Sequence, residues 1–123
     1  MGLWGSSRAA QGMGGRALKG APFDPKGWVS EFKAWAYRLG GVPMALLTSH
    51  DRSESAYELD RAHVFKVRPG RYALVIEYGC SCYELDDAEI FIYGDERSAM
   101  KDYHAWRETS TCEFHSTGVK AEE

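Results

Sequence analysis

Two of the three cysteines stand in Gly79-Cys80-Ser81-Cys82-Tyr83, between the apolar runs Tyr72 to Tyr78 and Ile90 to Tyr93, and Glu84, Asp86, Asp87 and Glu89 follow at once. A thiol pair at a strand end can do redox chemistry, supply half of a metal site or simply fill a tight turn. Cys112 and His115 would complete a Cys3His set with Cys80 and Cys82, the donor set zinc takes in closed structural sites. The spacing argues against it. Zinc ribbons and fingers usually place two residues between paired ligands, Cys80 and Cys82 are separated by one, and no predicted element ties Cys112 to that pair. Dithiol catalysis is disfavoured because the acidic neighbours oppose a thiolate. Three ordinary thiols and no cofactor are the expectation, with zinc on Cys80, Cys82, Cys112 and His115 as the alternative.

Hydrolytic chemistry has little to stand on. Ser49-His50-Asp51 lines up a hydroxyl, an imidazole and a carboxylate, but a triad is a geometry in space that adjacent residues do not usually reach. The chain carries no Gly-x-Ser-x-Gly elbow, phosphate-binding loop or His-Glu-x-x-His pair, and its acidic run lacks the Asp-x-Asp-x-Asp-Gly pattern of a calcium loop. The expected class is therefore a binding protein rather than an enzyme.

Charge narrows the partner. The formal net charge of −3 combines a net of +3 before Gly27 (Arg8, Arg16, Lys19 and Lys26 against Asp24) with −6 after it. From Glu77 to Asp102 eight acids face only Arg97 and Lys101. Such a surface repels phosphate backbones and attracts a basic protein surface. Arg61, Lys66, Arg68 and Arg71 form a modest basic patch that is expected to be a solvated hairpin tip. The expected partner-binding residues are Glu84, Asp86, Asp87, Glu89, Asp95 and Glu96, with Trp4 as an anchor on a mobile arm.

The elements that must position these groups follow from periodicity. The 123 residues, 44% hydrophobic and 13% aromatic, suit one globular domain. Residues 1–20 are Gly-rich and read as a flexible arm, 21–108 as a single α+β domain and 109–123 as a polar, frayed tail. Asp24 and Pro25 start a predicted helix whose Trp28, Val29, Phe32, Trp35, Ala36 and Leu39 share a face. Gly40-Gly41 and Pro43 stop it. Pro43 to Thr48 reads as a strand and Ser49 to Arg61 mainly as a loop. Period-two alternation about Pro69-Gly70 then predicts a hairpin, with His63, Phe65 and Val67 on one face and Tyr72, Leu74, Ile76 and Tyr78 on one face of the return strand. Ala88 to Tyr93 makes a further strand, and Asp95 caps a helix running to about Arg107. The expected fold is an antiparallel meander of three to four strands with two helices packed on one face. No apolar run is long enough to span a bilayer and the start lacks a signal-peptide block, so the expected compartment is the cytoplasm.

Glu77-Tyr78-Gly79-Cys80-Ser81-Cys82-Tyr83, with Asp87-Ala88-Glu89-Ile90 and a helix ending at Trp106, resembles small proteins of bacteriophages and their high-GC actinobacterial hosts. The resemblance covers about a quarter of the chain. It implies a phage accessory protein that binds and modulates a host protein, of the anti-defence or host-takeover kind.

Overall fold

The Pro69-Gly70 turn forms where the alternation places it, with Gly70 at φ +82° in the left-handed region such a turn requires. In the computed structural model, which describes residues 21–22, 35–55, 58–79 and 88–121, this turn joins β3 (Leu59–Arg68) to β4 (Arg71–Gly79). Around the hairpin the chain adds β1 (Ala21–Pro22), a helix α1 described over residues 35–39, β2 (Ala45–Asp51), β5 (Glu89–Tyr93), α2 (Glu96–Arg107) and β6 (Val119–Lys120). All strand pairs are antiparallel, and the sheet order is β1-β2-β3-β4-β5-β6. The α+β class and the meander agree with the expectation, while the six strands exceed the three to four predicted. The surplus is two strands of two residues each, too short to leave a periodic signal.

The two helices do not share a face. Trp35 and Leu39 of α1 pack with Leu46, Phe65, Ala73, Val75 and Ile90, whereas Ala99, Tyr103 and Trp106 of α2 pack with Leu47, Val64, Leu74 and Ile76. Alternate residues of β4 thus enter two different cores, one on each side of the sheet. β4 is buried without a break from Ala73 to Glu77 because both of its faces are apolar apart from Glu77, the pattern of a strand covered on both sides.

Two one-residue irregularities set the registers. In β2 the pairing steps from Leu46↔Phe65 to Thr48↔Val64, and beside the turn it steps between Lys66↔Tyr72 and Arg68↔Arg71. The first places Ser49, rather than Thr48, opposite His63. The second places Arg61, rather than Ala62, opposite Glu77. Each slip by one residue reverses the face a side chain takes. β2 also continues through Ser49, His50 and Asp51, where a loop is expected from the polar sequence.

The basic hairpin tip is not simply solvated. Arg71 Nε donates to Leu39 O at 2.8 Å and Arg68 Nη1 to Gly40 O at 3.4 Å, setting two cations at the C-terminal carbonyls of α1, where the helix dipole favours them. Gly40 sits there at φ +92°, and a Cβ would lie 2.9 Å from Arg71 Nε. Any side chain at position 40 would therefore compete with the arginine for that space.

Ser116 and Thr117, in the tail expected to fray, are tied to the domain through α2. Buried Asp102 on α2 accepts hydrogen bonds from Tyr93 Oη, Ser116 Oγ (2.9 Å), Thr117 N (2.7 Å) and Thr117 Oγ1 (3.2 Å). Burial alone would raise the Asp102 pKa, but these four donors hold it below the usual carboxylate value. Burial and the bond to Asp102 push the Tyr93 phenol up, so it stays a donor. Gly118 crosses the Tyr93 ring so closely that a Cβ would lie 2.7 Å from Cζ. Tyr93→Phe is expected to cost about 1.5–3 kcal/mol, the range for a hydrogen bond to a charged acceptor, in urea unfolding. The Thr117 amide should lose hydrogen-exchange protection in the same variant.

Candidate functional site

Among the described residues, and apart from the Asp102 group, chemistry-bearing side chains gather in two places, one largely buried and one open. The buried group lies under α1. Arg61 Nε and Nη2 hold Glu77 Oε2 and Oε1 at 2.7 and 2.9 Å, His63 Nε2 lies 2.7 Å from Glu77 Oε2, and His63 Nδ1 lies 3.0 Å from Ser49 Oγ. Burial would raise the Glu77 pKa, yet the bonds from His63 and Arg61 hold it at about 2. The carboxylate is ionised, so His63 donates through Nε2. This Ser-His-Glu order contains the residue types of a hydrolytic triad. Glu77 is nevertheless fully buried and His63 is 1% exposed beneath Trp35, whose ring centroid is 6.0 Å from the imidazole. Ser49 is half-buried, and the group ties β2, β3 and β4 together through polar contacts. Ser49-His50-Asp51 itself splits between faces. His50 turns edge-on to Trp106 at 6.0 Å, and burial, Arg107 and Arg52 lower its pKa.

The open site surrounds Tyr78, which is 51% exposed at the far end of β4. A cleft of about 380 Å³ on one side has Arg52, Glu54, Glu58 and Asp60 in its walls. A second of about 390 Å³ on the other side has Glu89, Cys112 and Phe114 in its walls. Arg52 is the brace between them. It pairs with Asp60 at 3.1 Å, stacks 3.9 Å from the Trp106 ring centroid, and donates to Trp106 O at the end of α2 and to Thr111 Oγ1. Thr111 also accepts from Trp106 Nε1 at 2.9 Å and donates to Asp60 Oδ1 at 2.8 Å. These bonds fix the residue next to Cys112, so the exposed thiol stands 3.3 Å from Tyr78 Oη. The contact with Cys112 is the first cause of the raised Tyr78 pKa.

The predicted site residues divide. Glu89 is on the wall of the second cleft and pairs with Lys120 at 3.6 Å. Asp95 and Glu96 follow the other end of β5, about 13 Å away along the strand. Asp95 is engaged as the N-cap of α2, accepting from Ser98 N at 3.1 Å and Ser98 Oγ at 2.9 Å, while Glu96 is exposed in the first turn. Of the expected acidic residues that are described, Glu89 thus stands at one end of β5 and Asp95 and Glu96 beyond the other. Cys112 and His115 are both exposed. Trp4, Cys80, Cys82, Glu84, Asp86 and Asp87 lie outside the described residues, as do the arm and the start of the first helix. Among the described residues no three His, Cys, Asp or Glu side chains converge as a metal site. No described helix is long and apolar enough to cross a membrane.

Sequence reasoning did not find Glu54 and Glu58 as cleft residues, nor the Arg61-His63-Glu77 tie. The signal for the tie was present: Glu77 is the one charged residue within the apolar run Tyr72 to Tyr78. No protein-family model, curated protein or solved structure matches this chain.

Proposed function

We propose that the chain is a small non-enzymatic binding module, a phage-type accessory protein whose acidic end around Tyr78 receives a basic segment of a host protein. One observation carries the reading. The half-exposed Tyr78 ring stands between two clefts, one with Glu54 and Glu58 in its walls and the other with Glu89. An aromatic face flanked by carboxylates suits a lysine or arginine side chain through cation–π attraction and ion pairing, and like-signed charge steers a basic partner. Photo-crosslinking from position 78 in a lysate of an actinobacterial host tests it. A host protein should be trapped through a Lys- or Arg-rich segment, and Glu54→Lys with Glu58→Lys should weaken its binding roughly tenfold and flatten its salt dependence. Equal binding by the folded double variant would remove the acidic end from the account.

The zinc alternative has one observation in its favour. Cys112 lines the second cleft and lies 3.3 Å from the hydroxyl of Tyr78, a residue that stands two before Cys80 in the chain. Zinc held by Cys80, Cys82, Cys112 and His115 would appear as about one metal ion per purified chain, and chelation would abolish the near-ultraviolet signal. Metal-free, folded protein rejects this second reading.

A further inference from the structure

We propose that residues 15–20 add to the sheet as a continuation of β1, pairing along the outer edge of β2 and screening the acidic end from basic partners. β1 covers β2 only at Ala45 and Leu46, and among the described residues no strand pairs with that edge from Leu47 to Asp51. The edge is not blank. Arg52 N donates to Asp60 O at 2.9 Å, which continues the register Asp51↔Arg61 and makes Arg52 and Asp60 a hydrogen-bonded pair of the β2–β3 ladder. Antiparallel pairs alternate, so the N–H and C=O of Ser49 and Asp51 turn away from β3 and out along this edge. Thr48 to Asp51 are only half-buried. An open row of backbone donors and acceptors is a template for one more strand.

The chain carries the occupant in line with the edge. Ala21 opposes Leu46 and Pro22 opposes Ala45, so the residues before Ala21 run toward Asp51. From Leu46 to Asp51 is about 17 Å, or about five to six residues of extended chain. Gly15-Arg16-Ala17-Leu18-Lys19-Gly20 supplies them, with no proline to leave a donor missing. Charge fits the same alignment. Counting back from Ala21↔Leu46 brings Arg16 level with Asp51, or one residue beyond it where the arm passes the β2 irregularity. Asp51 Oδ1 accepts from Ser53 N at 2.9 Å, and among the described residues no cation lies within ion-pair distance of it. Past Asp51 the chain enters the cleft wall of Arg52, Glu54 and Glu58. Arg16 and Lys19 would there take, within the same chain, the ground proposed for a basic host segment, and a tethered occupant competes at high effective concentration. This screening rests on the reading of the acidic end given under the proposed function.

Amide exchange followed by NMR on the full chain, with variants that alter only the arm, tests the proposal. The Ser49 and Asp51 amides of the wild type should exchange roughly tenfold more slowly than those of Ala17→Pro with Leu18→Pro, which removes adjacent donors so that one falls on the ladder in either register. Thr48 and His50 are already paired with β3, so their amides should not change and report an intact sheet. Octalysine, used as the basic probe, should bind the proline variant several times more tightly than the wild type, and Glu54→Lys with Glu58→Lys should abolish that binding. Wild-type Ser49 and Asp51 amides that exchange as open ones overturn the proposal. So does protection that grows with protein concentration, which would put a second copy on the edge, or protection that survives the prolines, which would put another segment there. Equal octalysine binding with and without the prolines overturns the screening. Octalysine binding that ignores Glu54 and Glu58 removes the acidic end instead, while the amide rates still decide the strand.

Discussion

Glu77→Gln is expected to lower the unfolding free energy by about 3–5 kcal/mol, because it removes the buried charge opposite Arg61 and leaves one amide oxygen to accept from both Arg61 and His63. For a chain of this size that is a fall of roughly 10–20 °C in Tm. The same carboxylate makes the wild type acid-sensitive. Its folded pKa of about 2 lies below its ordinary value of 4.5, so its contribution is complete above pH 4.5 and is lost as the pH falls through 2. The loss is on the order of 3 kcal/mol across that window. Urea titrations at pH 7 and pH 3 should show that part of the pH dependence in the wild type and its absence in Glu77→Gln. A variant within 1 kcal/mol of wild type at pH 7 would show that solvent or rearrangement compensates Arg61.

Trp106→Ala is expected to cost a further about 3–5 kcal/mol on its own, the range for truncating a fully buried indole. It empties the α2 core beside Tyr103, whose ring lies 6.2 Å away, and removes both the platform under Arg52 and the donor to Thr111. Residues 110–114 should then lose protection in hydrogen exchange more than β3 and β4 do. Trp106→Phe keeps most of the packing but not the N–H and should cost about 1–2 kcal/mol. If Trp106→Phe proves as damaging as Trp106→Ala, the hydrogen bond to Thr111 rather than the packing holds this end of the molecule.

The hairpin, the final helix and its Asp95 cap were legible because each rests on chemistry within a few residues: a Pro-Gly turn, period-two alternation and a carboxylate placed to cap. The two-sided covering of β4 was also written in the chain, since Ala73 and Val75 are as apolar as Leu74 and Ile76, but a reading that expects antiparallel sheets to keep one wet face passes over it. What could not be read was register. The pairings Arg61↔Glu77 and Ser49↔His63 each depend on a one-residue slip, and an unbulged count from Pro69-Gly70 sets Ala62 against Glu77 instead. The cleft at Tyr78 was hidden for a related reason. Glu54 and Glu58, Glu89 and Cys112 come from three separate stretches, and only the tertiary anchor through Arg52 and Thr111 brings the last of them to the first.

Strand order that follows chain order also has a kinetic meaning. Every strand finds its partner in the strand just before or after it, so each pairing closes a single connection, from the two-residue turn of the hairpin to the 25 residues between Tyr93 and Val119 that carry α2. Topologies dominated by such neighbouring pairings fold faster than sandwiches and barrels of similar size, whose strands must wait for distant mates. The central hairpin can form first and the sheet can widen from it in both directions. Residues near Pro69-Gly70 should then govern the refolding rate, while changes in β1 and β6 should act mainly on the rate of unfolding.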